Sequence, residues 1–147
     1  MYRNVLLAID MTYEDSWSHA VPPAVETCRH DGATLHVMMV VPDFGMSIVG
    51  SFFPAGYEKE ALEKAREHLH AFCKEHVPGD IEVKVHVGHG RPYEQILAVA
   101  RDLPADLIVM GAAQKSLLRR LFSGDETEPV LRQSKIPVLV IPEAEDG

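Results

Sequence analysis

The amino-acid sequence predicts an α/β domain: one doubly wound sheet of five parallel strands with helices on both faces. Three observations predict it. Short apolar runs of strand length recur along the chain, as in Val5–Ile9, Leu35–Val41, Leu107–Met110 and Val138–Ile141. Segments with the i, i+3, i+4 apolar spacing of amphipathic helices separate the strands. This β-α alternation requires a parallel sheet, and right-handed crossovers place the helices on both of its faces. The 147 residues suffice for one domain, 1–147, with a sizeable core.

Each element follows from its residues. Val5–Ile9 is the first strand, and Asp10-Met11-Thr12 ends it. Asp15 or Ser16 can cap a helix from about Trp17 to Arg29. Pro22 and Pro23 lie inside that span, so the helix is kinked there or begins near Pro22. Asp31-Gly32 closes it. Leu35–Val41 is the second strand, stopped by Pro42. The apolar linker from Asp43 to Pro54 must lie against something: a ligand, the core or a partner subunit. Tyr57–His76 carries Leu62, Ala65, Leu69 and Phe72 at helical spacing, and Pro78-Gly79 ends it. Ile81–Val87 alternates apolar and polar, which predicts a sheet edge with one wet face. Gly88 to Pro92 reads as a turn, with Pro92 opening a helix lined by Ile96, Leu97, Val99, Ala100 and Leu103. Leu107–Met110 is the fourth strand. A helix from about Glu126 to Gln133 and a last strand, Val138–Ile141, complete the chain.

Composition excludes several classes. A net charge of -8 argues against a nucleic-acid binder. No apolar run approaches membrane-spanning length. Cys28 and Cys73 have no metal-ligand spacing and read as structural thiols of a reduced, cytoplasmic protein. His68, His70 and His76, and likewise His86 and His89, lack HExxH spacing. They read as solvated or locally satisfied rather than as zinc ligands. No nucleophile elbow or complete Walker loop is present, so catalysis would extend at most to slow hydrolysis.

In a doubly wound sheet the ligand lies beyond the carboxyl ends of the strands, where their order reverses. Asp10, Val41, Gly90 and Gly111 occupy those ends. After Gly111 comes a basic loop with Lys115, Arg119 and Arg120, then Gly124 before an acidic helix start. That arrangement suits an anion, because the amides and dipole of a helix start favour negative charge. A solvated basic face on an ordinary connection is the other reading.

VLLAID at the start, HVMMVVP, GRPYEQI, and DLIVMGAAQ through to KIPVLVIP together resemble the universal stress protein family, over nearly the whole chain. The resemblance implies a Rossmann-like sheet in the order 3-2-1-4-5. It also implies an adenine nucleotide (ATP, ADP or AMP), alone or with Mg2+. The family's motif is glycine, two residues, glycine, nine residues, glycine, then serine or threonine. Gly111 and Gly124 match its outer glycines, whereas Gln114 replaces the middle glycine and Asp125 replaces the hydroxyl residue.

By resemblance, Asp10 with Met11 would bind ribose or a metal, although Asp10 could instead cap the loop that follows. The backbone at Val40 and Val41 would meet the adenine edge. Met110 and Gly111 would let the backbone approach ribose and phosphates. Gln114, Lys115, Ser123, Gly124, Asp125 and Glu126 would surround the phosphates. Asp125 cannot donate to a phosphate oxygen as a hydroxyl can, and it adds charge repulsion. The implied function is a dimeric, nucleotide-binding stress regulator with weakened phosphate binding. Two alternatives stand beside it. One is a nucleotide-independent dimer with a decayed site and a partner surface on the loop from Phe44 to Pro54. The other is an ATP-using enzyme. Val138, Leu139, Val140 and Ile141 form a short apolar last strand, expected to pair with its own copy across a two-fold axis.

Overall fold

A computed structural model of the chain describes residues 1–11, 14, 17–41, 57–112 and 127–142. The elements run β1 (Asn4–Ala8), α1 (Val21–Asp31), β2 (Thr34–Val41), α2 (Tyr57–His76), β3 (Val83–His89), α3 (Pro92–Asp102), β4 (Leu107–Ala112), α4 (Thr127–Gln133) and β5 (Val138–Pro142). The five strands form one sheet in the order β3-β2-β1-β4-β5, every neighbour pair parallel. This is the doubly wound order expected from the sequence.

Because successive strand residues face opposite ways, each strand feeds two cores. Val5, Leu7, Leu35, Val37, Leu107 and Val109 point to the layer of α1 and α2, where Cys28, Leu69 and Phe72 meet them. Leu6, Met38, Ile108 and Met110 point to the opposite layer, with Ile96 and Ala100 of α3 and Val130 of α4. Leu6, Leu7, Leu35, Leu69 and Ile108 are fully buried. Each contributes about 1.5–3 kcal/mol relative to exposure.

The two readings of the first helix resolve in favour of the later start. Helix α1 begins at Val21, after Ala20, which offers no side-chain cap; Pro22 and Pro23 occupy its first turn, where the missing N–H groups have no intrahelical partner to lose. Trp17 to Ala20 form a separate turn, with Val21 N–H donating to the Trp17 carbonyl at 2.9 Å. Asp15 and Ser16, the expected caps, lie outside the described residues. At the other end Gly32 takes φ 69°, and the amides of Gly32 and Ala33 both bond the Cys28 carbonyl.

Strand β3 is an edge, as its alternation predicts, but its second face is not wet along its length. Lys84 is exposed, whereas His86 is half-buried and Gly88 is buried. A Cβ at Gly88 would stand 3.0 Å from the Gln95 Cβ of α3, so this glycine lets the helix close over the strand. For that reason the strand runs on to His89 instead of turning at Gly88.

The amino ends are tied by side chains to backbone. The Asp106 carboxylate accepts from the amides of Arg3 (2.8 Å) and Asn4 (3.1 Å), and Asp31 accepts from Tyr2 (2.8 Å). These contacts fix β1 between β2 and β4, and with it the level at which β1 ends.

Candidate functional site

The order reverses between β1 and β4, so the candidate site lies beyond the end of β1, flanked by the carboxyl ends of β2 and β4. Ala8 is level with Met38 on one side and Met110 on the other. The Ile9 amide still donates to the Met38 carbonyl at 3.0 Å, which carries the pairing past the end of β1. Continuing the same register places Asp10 beside Val40 and Ala112. Asp10 is half-buried there, and Met11 packs against the α1/α2 core.

Of the sequence-derived positions, Asp10, Met11, Val40, Val41, Met110 and Gly111 gather at this end of the sheet. Val41 and Met110 are buried, and Val40 packs against the α3/α4 core. Val40 and Val41 pair along β3, opposite Gly88 and His89, while their side chains serve the interior. Gly111 is also buried, level with Ile141 of β5. Gln114, Lys115, Ser123, Gly124, Asp125 and Glu126 lie outside the described residues, as do Arg119, Arg120 and the linker from Phe44 to Pro54.

The structure adds a fourth wall. Gly90 donates its amide to the Val41 carbonyl at 3.0 Å and takes φ 127°. Its position at a strand end was legible as a turn glycine; its bond to β2 was not. Strand β5 adds a flank to β4, with Leu139 38% exposed and level with Val109.

No group of three His, Cys, Asp or Glu residues among the described residues could hold a metal ion. His86 bonds another histidine, and His76 stacks on Trp17 and Phe72 at centroid distances of 4.6 and 4.7 Å. Cys28 and Cys73 are buried, and burial pushes each thiol up to about 11. Two shallow depressions of about 240 and 410 Å³ lie at the amino ends of the strands, beside Arg29 and Asp80 and beside Tyr2 and Glu26. Both are remote from the carboxyl ends. Among the described residues no helix is long and apolar enough to cross a membrane.

A doubly wound parallel sheet with a carboxylate after its first strand and a buried glycine late in its fourth is an α/β protein of the Rossmann-like class. Within that class, the chain belongs to the universal stress protein family, whose model matches residues 1–142. It is 31% identical over 145 residues to a universal stress protein of Thermus aquaticus, covering 96% of this chain and 99% of that one. Its fold is similar to a universal stress protein solved in complex with cAMP, at TM-score 0.61 and 22% identity, covering 97% of this chain and 98% of the other. It is likewise similar to the Archaeoglobus fulgidus protein solved in complex with dAMP, at TM-score 0.61 and 22% identity, covering 95% and 98%.

Proposed function

We propose that this chain is an adenine-nucleotide-binding stress-response regulator that acts as a homodimer and holds the phosphates weakly. The observation that carries the reading is the convergence of Asp10, Val41 and Gly111 at the carboxyl ends of three adjacent parallel strands. Asp10 accepts from the ribose hydroxyls or holds an accompanying Mg2+. The backbone of Val40 and Val41 meets the adenine edge, and Gly111 gives the ligand backbone access. Gln114, Lys115, Ser123, Gly124, Asp125 and Glu126 face the phosphates. The cAMP and dAMP complexes of related proteins support the adenine class of ligand. The dimer forms through β5, an edge strand that carries the exposed Leu139.

Mass spectrometry of small molecules released from the purified protein, followed by calorimetric titration with AMP, ADP and ATP, tests the proposal. Binding that Asp10→Ala weakens without lowering the melting temperature of the free protein supports it. A protein that neither carries nor binds an adenine nucleotide would be a nucleotide-independent interaction module instead.

A further inference from the structure

Among the described residues, the α3-facing side of the sheet buries one polar side chain, His36, which is only 4% exposed. Its ring sits between two partners. His36 Nδ1 lies 2.9 Å from His86 Nε2 on β3, and His36 Nε2 lies 3.1 Å from Asn4 Oδ1 on β1. Asn4 Nδ2 donates to the Pro104 carbonyl at 3.2 Å, which fixes the amide with its oxygen toward His36. These partners dictate the proton positions. Since Asn4 Oδ1 only accepts, His36 carries its hydrogen on Nε2, and its bare Nδ1 accepts from His86 Nε2–H. A directional series of donors therefore runs from the edge strand through β2 and β1 to the segment entering β4.

The two imidazoles respond differently to a proton. His86 can take one at Nδ1 and remain a donor through Nε2, now charge-assisted. His36 can take one only at Nδ1, and once His86 is also protonated, so that its Nε2 must keep a hydrogen, two N–H groups stand head to head.

The surroundings oppose a second charge. On β3 stand Lys84 and, just before the strand, Glu82; on α2 stands Arg66; from β1 comes the neutral Asn4. The core on this face of the sheet is otherwise apolar, with Ile96, Val99 and Ala100 of α3 and Leu103 just after it packed there. Burial, then the neighbouring His86 and Lys84, pull His36 down to about 4 against the weaker opposing pull of Glu82. Burial, then Arg66 and Lys84, also lower His86.

We propose that this series is an acid-released clasp on the edge strand: one proton on His86 is tolerated, and a second on His36 breaks the tie between β3 and β2. The strand it would free ends at His89 and leads directly into Gly90, whose amide bonds Val41, so release loosens one wall of the carboxyl-end site. The inference rests on this network alone and does not depend on the nucleotide reading.

Nitrogen-15 NMR of the histidine rings and hydrogen exchange of the backbone, from pH 7.5 to pH 4.5, test it on the intact chain. His36 should appear as the Nε2–H tautomer throughout the folded range, while His86 titrates first. Protection of the β3 amides that pair with β2 should fall at least tenfold between pH 7 and pH 5, and β1 and β4 amides should fall less. His36→Gln keeps an acceptor for His86 and a donor for Asn4 but cannot be protonated, so it should flatten the β3 profile. An Nδ1–H tautomer at His36, a freely titrating His36 ring, or β3 protection that tracks β1 and β4 would overturn the clasp. So would a folded His36→Gln variant that retains the wild-type acid response.

Discussion

Gly90, one residue past the end of β3, donates its amide to the carbonyl of Val41, the last residue of β2, at 3.0 Å. That bond holds the carboxyl end of β3 against β2 beside Val40 and Val41. Gly90 reaches it with φ 127°, a conformation that side chains rarely adopt. A Cβ there would meet Gln95 Nε2 only at 3.6 Å, an ordinary contact, so any penalty is conformational. Gly90→Ala should therefore cost about 1–3 kcal/mol. Gly79→Ala is the control, because nothing lies within 4 Å of a Cβ at that position. Urea midpoints of the two variants check this; equal midpoints would show that the Gly90 backbone is not constrained.

Asp31 supplies a pH dependence on the acid side. The His30 ring, with Nδ1 2.7 Å away, and then the Tyr2 amide at 2.8 Å hold its carboxyl below the usual carboxylate range. A depressed folded value gives stability that is present above the unfolded carboxylate pKa of about 4 and is lost as pH falls through the folded value. Asp31→Asn should accordingly lower the urea midpoint at pH 6, and the gap to wild type should close toward pH 3. A gap that does not vary with pH would mean that Asp31 acts through packing alone.

Much of this architecture is legible in the chain because local signals agree. The apolar spacing from Tyr57 to His76 and the Pro78-Gly79 stop give α2 its full extent, and the structure matches both ends. Pro22 and Pro23 left two readings of α1, since proline is tolerated in a first turn and disruptive in a later one; only packing decides between them. Gly88 misled, because a glycine beside a turn looks like part of it, while here it makes room for Gln95. The ends of β1, β2 and β4 were readable from topology, so Asp10, Val41 and Gly111 could be placed together. The His36–His86–Asn4 network could not, because its members stand 50 and 32 residues apart and meet only once strand register is known.

Assembly through β5 has a direct probe. Leu139 is 38% exposed, whereas Ile141 packs against the α1/α2 core. Leu139→Lys thus tests the edge without emptying the interior, and Ile141→Lys risks unfolding the sheet. Leu139→Lys should convert a dimer into monomers with an unchanged melting profile at low protein concentration. Sedimentation velocity at micromolar concentration measures this. A wild-type chain that sediments as a monomer removes β5 as a self-pairing surface.

The last prediction concerns Asp125, where the chain departs furthest from the family motif. A hydroxyl residue at that position donates to a phosphate oxygen; a carboxylate only accepts and carries charge. Two unit charges about 5 Å apart at an effective dielectric near 20 repel by roughly 3 kcal/mol. In the proposed site the adenine contacts would come from backbone and the ribose contact from Asp10, neither of which involves Asp125, so the loss should grow with the phosphate charge. In metal-free buffer Asp125→Ser should tighten ATP binding about tenfold or more, equivalent to about 1.4 kcal/mol. AMP should gain less, because it brings fewer charges to the carboxylate. Adding Mg2+ should narrow the difference for ATP, since a divalent ion held by Asp125 turns repulsion into a bridge. Calorimetric titration of both proteins with both nucleotides, with and without Mg2+, measures all three effects. Equal gains for AMP and ATP would show that Asp125 acts through shape or capping and not through its charge.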